Sequence, residues 1–222
     1  MAYLAVFLVA LTVTFLFTPV VRRLALERGA IVAPDERDIH ERPTPTLGGA
    51  AMLAGVLVAM VLASQMGAFE DIFAVRTETV GVVIAALLIF GVGLIDDLRS
   101  ISAPAKVAGM VLAGSVLSFA GVSLLFMRVP LLDVFVLSAD LSAVLTVLWV
   151  VGMANAINLI DGLDGLAAGI VAIGAGSFFF YALELGDNGI ITGGNPGPLI
   201  AVITAGVCLG FLPHNFLSLI HI

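Results

Sequence analysis

The chain has 222 residues, of which 61% are hydrophobic and 11% are charged. A soluble domain is about 25% charged, so this composition excludes an ordinary soluble protein and predicts an integral membrane protein. The net charge of −7 argues against nucleic-acid binding, which requires a basic surface. The single cysteine, Cys208, excludes a disulfide framework within the chain.

Apolar runs long enough to cross a bilayer, about 20 residues each, recur along the whole sequence. They predict an all-α, polytopic transmembrane helix bundle that forms one integral-membrane domain over residues 1–222. The first run is interpreted as a retained signal anchor, because Arg22 and Arg23 follow it, whereas the positive charges of a signal peptide precede its apolar run. The seven predicted spans lie near 3–21, 47–67, 79–95, 105–127, 139–157, 165–183 and 197–213.

The nine basic residues predict the orientation of these spans. Two of them, Arg76 and Arg128, fall in loops on one side. The other side holds seven, namely Arg22, Arg23, Arg28, Arg37, Arg42, Arg99 and Lys106. Since basic loops stay in the cytoplasm, we expect the N-terminus outside and the loops after odd-numbered spans inside.

The distinctive polar segments all fall in these odd-numbered loops, which favours one composite cytoplasmic site. They are the loop with Arg37 and His40, the Asp96-Asp97 pair with Lys106, the stretch 155–165, and His214-Asn215. Each has a plainer interpretation when taken alone. Arg37 and His40 are typical of surface residues or membrane anchors, Asp96-Asp97 of a solvated helix end, and Lys106 of a topology determinant.

The residue types in these loops indicate phosphate or metal chemistry. Two adjacent carboxylates, Asp96 and Asp97, repel each other unless a cation or proton intervenes, and Mg²⁺ prefers such oxygen ligands. A second polar set recurs every three residues after an apolar run, and polar side chains at the edge of a span are expensive enough to indicate a site. Its members are Asn155, Asn158, Asp161 and Asp164. They suit a metal ion, a phosphate complex or a proton.

Together these segments resemble the polyprenyl-phosphate N-acetylhexosamine-1-phosphate transferase family, in its bacterial lipid-phosphate N-acetylglucosamine-1-phosphate branch. The match is carried by Arg37-x-x-His40-x-x-Pro43-x-Pro45-x-x-Gly48-Gly49, by Asp96-Asp97 with Lys106, by Asn155-x-x-Asn158-x-x-Asp161-Gly162-x-Asp164-Gly165-Leu166-Ala167-x-Gly169, and by Phe211-Leu212-x-x-Asn215. Glu41-Arg42 stands where the muramoyl-pentapeptide branch usually has a lysine-glycine step, which favours the N-acetylglucosamine branch.

The resemblance implies transfer of a sugar-1-phosphate from a UDP-sugar to a polyprenyl phosphate, with release of UMP, in the bacterial plasma membrane. It implies a Mg²⁺ ion, with Mn²⁺ as an alternative, and is compatible with a homodimer. The roles it implies are catalysis for Asp161 and Asp97, metal binding for Asp96 and Asp97, and substrate binding for Arg37, His40, Lys106, Asn158, Asp164 and Asn215. The product would initiate a cell-envelope glycan such as teichoic acid, the O-antigen of lipopolysaccharide or an arabinogalactan linker.

One departure from the family sets an expectation about length. Family members continue past Phe216 with a Pro-Ala pair and a Gly-Asp motif, which residues 217–222 lack, so we expect a C-terminally truncated product. Two other classes stay open at this point. A proton-coupled carrier would also use intramembrane acids, and a non-catalytic assembly subunit would fit an incomplete enzyme.

Overall fold

The computed structural model describes residues 1–27, 31–32, 44–45, 48–129, 133–191 and 194–216. Most of them are helical, and the predicted all-α polytopic membrane fold is confirmed. The helices are α1 (Ala2–Glu27), α2 (Gly48–Ser64), α3 (Glu70–Ala74), α4 (Arg76–Arg99), α5 (Ala103–Phe119), α6 (Ala139–Ile160), α7 (Leu166–Asp187) and α8 (Gly197–Phe216). A 3-10 turn, Gly67–Phe69, precedes α3.

Two antiparallel strand pairs accompany the helices. The first joins β1 (Ile31–Val32) to β2 (Thr44–Pro45), and the second joins β3 (Phe126–Val129) to β4 (Asp133–Val136). Neither pair is predictable from the sequence, because strands this short carry little periodic signal.

The number of membrane crossings stays a prediction. Among the residues that the structure describes, five helices are long and apolar enough to cross a membrane, namely α1, α4, α6, α7 and α8. A sixth crossing results if α2 and the segment Gly67–Ala74, which meet at an angle of 97°, form one broken span. Helix α5 is apolar but has 17 residues. Each of the seven predicted runs nevertheless overlaps one of these helices.

The predicted span 105–127 is wrong in its last third. Helix α5 ends at Phe119, and Gly121 adopts a left-handed conformation (φ 96°). The Val122 N–H then bonds to the Leu117 carbonyl at 2.9 Å, closing a glycine C-cap. The chain beyond it is held to α6 by Leu124, whose N–H donates to the Thr146 hydroxyl and whose carbonyl accepts from Ser142. The high hydropathy of residues 120–127 predicted that the helix continues, but the glycine turn at Gly121 ends it.

The chain divides into two compact units, and each is described by itself. Unit 1 comprises Met1–Ala74 with Ile160–Ile222, and unit 2 comprises Val75–Leu159. The predicted single domain over 1–222 stays a prediction.

Small residues let the helices of unit 1 approach closely. A Cβ added at Gly206 would lie 2.8 Å from the Phe7 carbonyl oxygen, and one added at Gly210 would overlap the Leu11 carbonyl oxygen. Without a hydrophobic driving force between helices in lipid, such backbone contact is a main source of association. Gly206 faces Phe7, and Gly210, four residues later, faces Leu11, also four residues later. Helices α1 and α8 therefore run parallel.

The other two long helices of unit 1 run antiparallel to α8. A Cβ at Gly48 would lie 2.9 Å from the Phe211 ring, and one at Gly197 would lie 3.6 Å from the Phe178 ring. The C-terminal ends of α1 and α8 therefore lie at the same end of the unit as the N-terminal ends of α2 and α7. We call this end, with residues 161–166 and 211–215, the polar end of unit 1.

Unit 2 has a matching arrangement. Helices α4 and α5 are antiparallel, since Gly109 faces Val92, and α5 and α6 are antiparallel, since a Cβ at Gly114 would lie 3.0 Å from the Val147 Cα. The C-terminal ends of α4 and α6 thus lie beside the N-terminal end of α5. We call this end, with residues 96–106 and 155–159, the polar end of unit 2.

Candidate functional site

The end of α4 is built around Asp96. Its Oδ2 lies 2.7 Å from the Lys106 Nζ, and its Oδ1 accepts a hydrogen bond from the Ile101 backbone N–H at 3.2 Å. Its backbone carbonyl accepts from the Ser100 N–H at 2.8 Å. Each Asp96 carboxylate oxygen therefore already has a donor, and the side chain fixes the position of the only lysine in the sequence.

A tight turn makes this ion pair possible. Ser100 caps α4 in a left-handed conformation (φ 44°), the one non-glycine residue with positive φ among the described residues. Helix α5 then begins at Ala103 with a proline in its first turn, where the missing N–H costs nothing. Reversing the chain within these few residues brings Lys106 back to the α4 terminus.

Asp97 contrasts with its neighbour. It is exposed, and within the described part of unit 2 it has no hydrogen bond or ion pair, although Asp96 and Lys106 are near enough to act on it electrostatically. No three His, Cys, Asp or Glu side chains cluster around a metal position in the part of the chain that the structure describes. Mg²⁺ is commonly held by one or two carboxylates plus substrate phosphates, so the pair Asp96-Asp97 fits this ion.

Two asparagines of α6 lie at the same polar end of unit 2. The Asn155 Nδ2 donates to the Val151 carbonyl at 2.8 Å and contacts the Met110 Sδ at 3.4 Å. Asn158 is exposed one turn further on. The structure therefore brings Asp96, Asp97, Lys106 and Asn158 to one end of unit 2.

The turn between α6 and α7 carries the second carboxylate pair. Gly165 caps α7 in a left-handed conformation (φ 76°), and the Leu166 N–H bonds back to the Leu163 carbonyl at 3.0 Å. The stretch contains two Asp-Gly steps, and only the one at Gly165 uses the conformational freedom of glycine, since the φ of Gly162 is not positive. The turn presents Asp161 and Asp164 three residues apart at the polar end of unit 1.

The surroundings of Asp161 perturb the pKa of its carboxyl group. Although the residue as a whole is exposed, protein atoms crowd its carboxyl group, and this partial burial raises its pKa above the usual range. The nearby Asp164 carboxylate raises the pKa further. Both effects disfavour the charged form, so a cation or a proton would be bound favourably here.

The end of α8 completes the polar end of unit 1. The His214 Nε2 lies 2.8 Å from the Phe15 carbonyl oxygen of α1, and Asn215 follows in the last turn of α8. The Phe211 ring of α8 packs against Gly48 of α2, where a side chain would leave no room for it. The structure brings Asp161, Asp164 and Asn215 to one end of unit 1.

Some sequence predictions stay untested. Arg37 and His40 lie outside the described residues, and the predicted gathering of both carboxylate pairs in one composite site stays a prediction. Sequence reasoning missed the bond of His214 to Phe15. The available signal was Pro19, which stands four residues after Phe15 and removes that carbonyl's helical donor.

Comparison with known proteins identifies the family to which the chain belongs. Residues 79–218 match Glycosyl transferase family 4. The chain is 42% identical over 212 residues to the decaprenyl-phosphate N-acetylglucosaminephosphotransferase of Mycobacterium tuberculosis (strain ATCC 25618 / H37Rv), covering 94% of this chain and 52% of that protein. It is 35% identical over 210 residues to a probable undecaprenyl-phosphate N-acetylglucosaminyl 1-phosphate transferase of Bacillus subtilis (strain 168), covering 95% of this chain and 54% of that protein.

A relative from the other branch is more distant. The phospho-N-acetylmuramoyl-pentapeptide-transferase of Mycobacterium bovis (strain BCG / Pasteur 1173P2) is 33% identical over 244 aligned residues, covering 93% of this chain and 67% of that protein. The chain spans about half the length of the first two relatives. The family match over residues 79–218 and the polytopic helical fold agree, and the chain belongs to glycosyl transferase family 4.

Proposed function

We propose that the complete gene product containing this chain transfers N-acetylglucosamine-1-phosphate from UDP-N-acetylglucosamine to a polyprenyl phosphate and releases UMP. The reaction would take place at the cytoplasmic face of a bacterial plasma membrane and initiate a cell-envelope glycan. The observation that carries the proposal is the end of α4, where the Asp96–Lys106 ion pair of 2.7 Å stands beside the exposed Asp97. The names of the relatives with 42% and 35% identity support the choice of sugar and lipid.

The geometry suits phosphoryl transfer, which depends mainly on positioning and on neutralising negative charge. Lys106, held in place by Asp96, would bind a diphosphate oxygen as a point charge. Asp97, with Asp96 beside it, would hold Mg²⁺ or Mn²⁺. When bound, the ion would stabilise charge on the diphosphate and make UMP a better leaving group.

The groups of unit 1 would serve the acceptor and the nucleotide. Asp161, with its raised pKa, is placed to accept a proton from the lipid phosphate or to bind the metal. A phosphate monoester loses its second proton near pH 6, so the help of a base would be small at pH 7. Asp164, Asn158 and Asn215 would hydrogen-bond the nucleotide sugar. We assign Arg37 and His40 to substrate binding from the resemblance alone.

A location at helix ends fits a reaction between a lipid and a soluble donor. The prenyl chain remains in the hydrocarbon while its phosphate stays at the interface. The carrier alternative requires acids well inside the spans. Here Asp96 and Asp97 occupy the last turn of α4, and Asp161 and Asp164 follow the end of α6, which favours the transferase.

An isotope-exchange assay tests the proposal. The complete gene product in proteoliposomes should move labelled UMP into UDP-N-acetylglucosamine only when polyprenyl phosphate and Mg²⁺ are both present. Substitution of UDP-N-acetylmuramoyl-pentapeptide as the donor should abolish exchange. Exchange that persists without the lipid phosphate, or in excess EDTA, would contradict the proposed reaction. Accumulation of UDP-N-acetylglucosamine inside sealed vesicles without exchange would support a carrier instead.

A further inference from the structure

Helix α1 has a gap in its own hydrogen-bond ladder. In an α-helix each carbonyl accepts from the N–H four residues later. Pro19 lies inside α1, four residues after Phe15, and has no N–H to donate. The Phe15 carbonyl therefore lacks its helical partner, in a segment where lipid offers no replacement donor.

His214 of α8 supplies a donor from the neighbouring helix. Its Nε2 lies 2.8 Å from the Phe15 carbonyl oxygen. Because a carbonyl can only accept, the proton of this hydrogen bond must be on Nε2. The two rings also pack, with centroids 4.8 Å apart and planes inclined by 38°. The contact therefore combines one directional bond with one aromatic contact.

The last turn of α8 is weakened in the same way. Pro213 lies inside α8 directly before His214, so the Leu209 carbonyl also loses its helical donor. A proline in this place removes one of the hydrogen bonds that join the last turn to the rest of α8. The bond from His214 to α1 is then an external restraint on residues 213–216, the turn that contains Asn215.

We infer that His214 is a positioning residue that gives α1 the hydrogen bond Pro19 cannot make and thereby fixes the last turn of α8, with Asn215, against α1. The part that concerns Asn215 rests on the proposed function, in which Asn215 binds the nucleotide sugar. The restraint itself is a property of unit 1 and is independent of that function.

A double-mutant cycle in detergent micelles tests the restraint. His214→Phe keeps an aromatic ring but removes the donor, and we expect the melting temperature to fall by about 2–4 °C. Pro19→Ala restores a backbone N–H for the Phe15 carbonyl, so His214→Phe should cost less than half as much in that background. Thr204→Val is the matched control. Its hydroxyl donates to the Ile200 carbonyl of the same helix, so its cost should be equal in both backgrounds.

Two further measurements separate positioning from mere stability. A ¹⁵N spectrum of the His214 ring should show the proton on Nε2. In the complete gene product, His214→Phe should raise the KM for UDP-N-acetylglucosamine about fivefold with a smaller change in kcat. Adding Pro19→Ala should leave the KM raised, because the restored N–H satisfies the Phe15 carbonyl within α1 and does not hold α8.

Equal thermal losses in both backgrounds, or a ring proton on Nδ1, would overturn the restraint. An unchanged KM would overturn the positioning of Asn215. If the wild-type protein showed no exchange, the proposed function would fail on its own, while the thermal cycle and the ring spectrum would still decide the inference.

Discussion

The two carboxylate pairs of this protein occupy opposite local environments. Asp96 lies in the last turn of a helix with both oxygens bonded, one to the Lys106 ammonium and one to a backbone N–H. Asp161 lies in a turn, where partial burial and then the neighbouring Asp164 carboxylate raise its pKa. A lysine therefore pairs with a carboxylate of the first pair, whereas in the second pair partial burial and the neighbouring carboxylate both disfavour the charged form of Asp161.

The comparison suggests that the two carboxylate pairs have different roles. A carboxylate that already holds a lysine positions a phosphate ligand without moving, and the exposed Asp97 beside it is free to bind metal. A carboxylate with a raised pKa suits a proton or a cation that arrives with substrate. Each of the following predictions tests one side of this contrast.

The largest effect is expected at Asp97. Asp97→Asn keeps the shape of the side chain and removes the charge proposed to hold the metal. We expect Mg²⁺-dependent UMP exchange to fall by at least about 100-fold, the scale of losing a major electrostatic contribution. Asp187→Asn, at the C-terminal end of α7, is the control and should leave exchange unchanged. Wild-type turnover in Asp97→Asn would remove the first pair from the mechanism.

The next effect concerns the internal cation. Lys106→Ala should raise the KM for UDP-N-acetylglucosamine by about 10-fold, since a charge-assisted hydrogen bond contributes about 1.5–3 kcal/mol. Lys106→Arg keeps the charge but changes its geometry, so it should recover part of the loss. If both variants retained the wild-type KM, Lys106 would serve only to pair Asp96.

The two turns should respond to glycine in opposite ways. Gly165→Ala forces a side chain into a left-handed conformation, whereas Ser100→Gly relieves one. Each change should alter the free energy of unfolding by about 1–2 kcal/mol, the first lowering and the second raising it. Thermal unfolding in micelles measures both, with Gly162→Ala, a glycine whose φ is not positive and which has open space around its Cβ, as the control. Shifts of the same sign in Gly165→Ala and Ser100→Gly would contradict this account of the turns.

The smallest effect is a change of pKa within the second pair. Asp164→Asn removes the neighbouring charge, so the pKa of Asp161 should fall toward its usual value while the contribution of burial remains. A raised pKa in the folded state means that stability decreases as pH rises through the titration of Asp161, and this decrease should become smaller in the variant. A ¹³C titration of the Asp161 carboxyl measures the change. An unchanged pKa would show that burial alone perturbs Asp161.

Much of the site was accessible from the sequence because its signals are local. Residue type and spacing indicate the chemistry in three places: two adjacent carboxylates, Asn and Asp residues that recur every three positions, and an Asp-Gly step. The span prediction failed where a local signal was overlooked, since Gly121 ends α5 while hydropathy remains high. The strand pair β3–β4 was missed because strands of four residues carry little periodic signal, and β3 overlaps the end of the predicted span 105–127.

The sequence by itself determined the membrane location, the helical class and the residue types of the site, because these follow from hydropathy and from the spacing of charges along one chain. Only the tertiary structure decided which atoms meet. The pairing of Lys106 with Asp96 depends on the left-handed turn at Ser100. The bond between His214 and Phe15 depends on the parallel packing of α1 and α8 across 199 residues of sequence. Such contacts are set by the geometry of backbone turns and helix packing, which hydropathy and spacing do not encode.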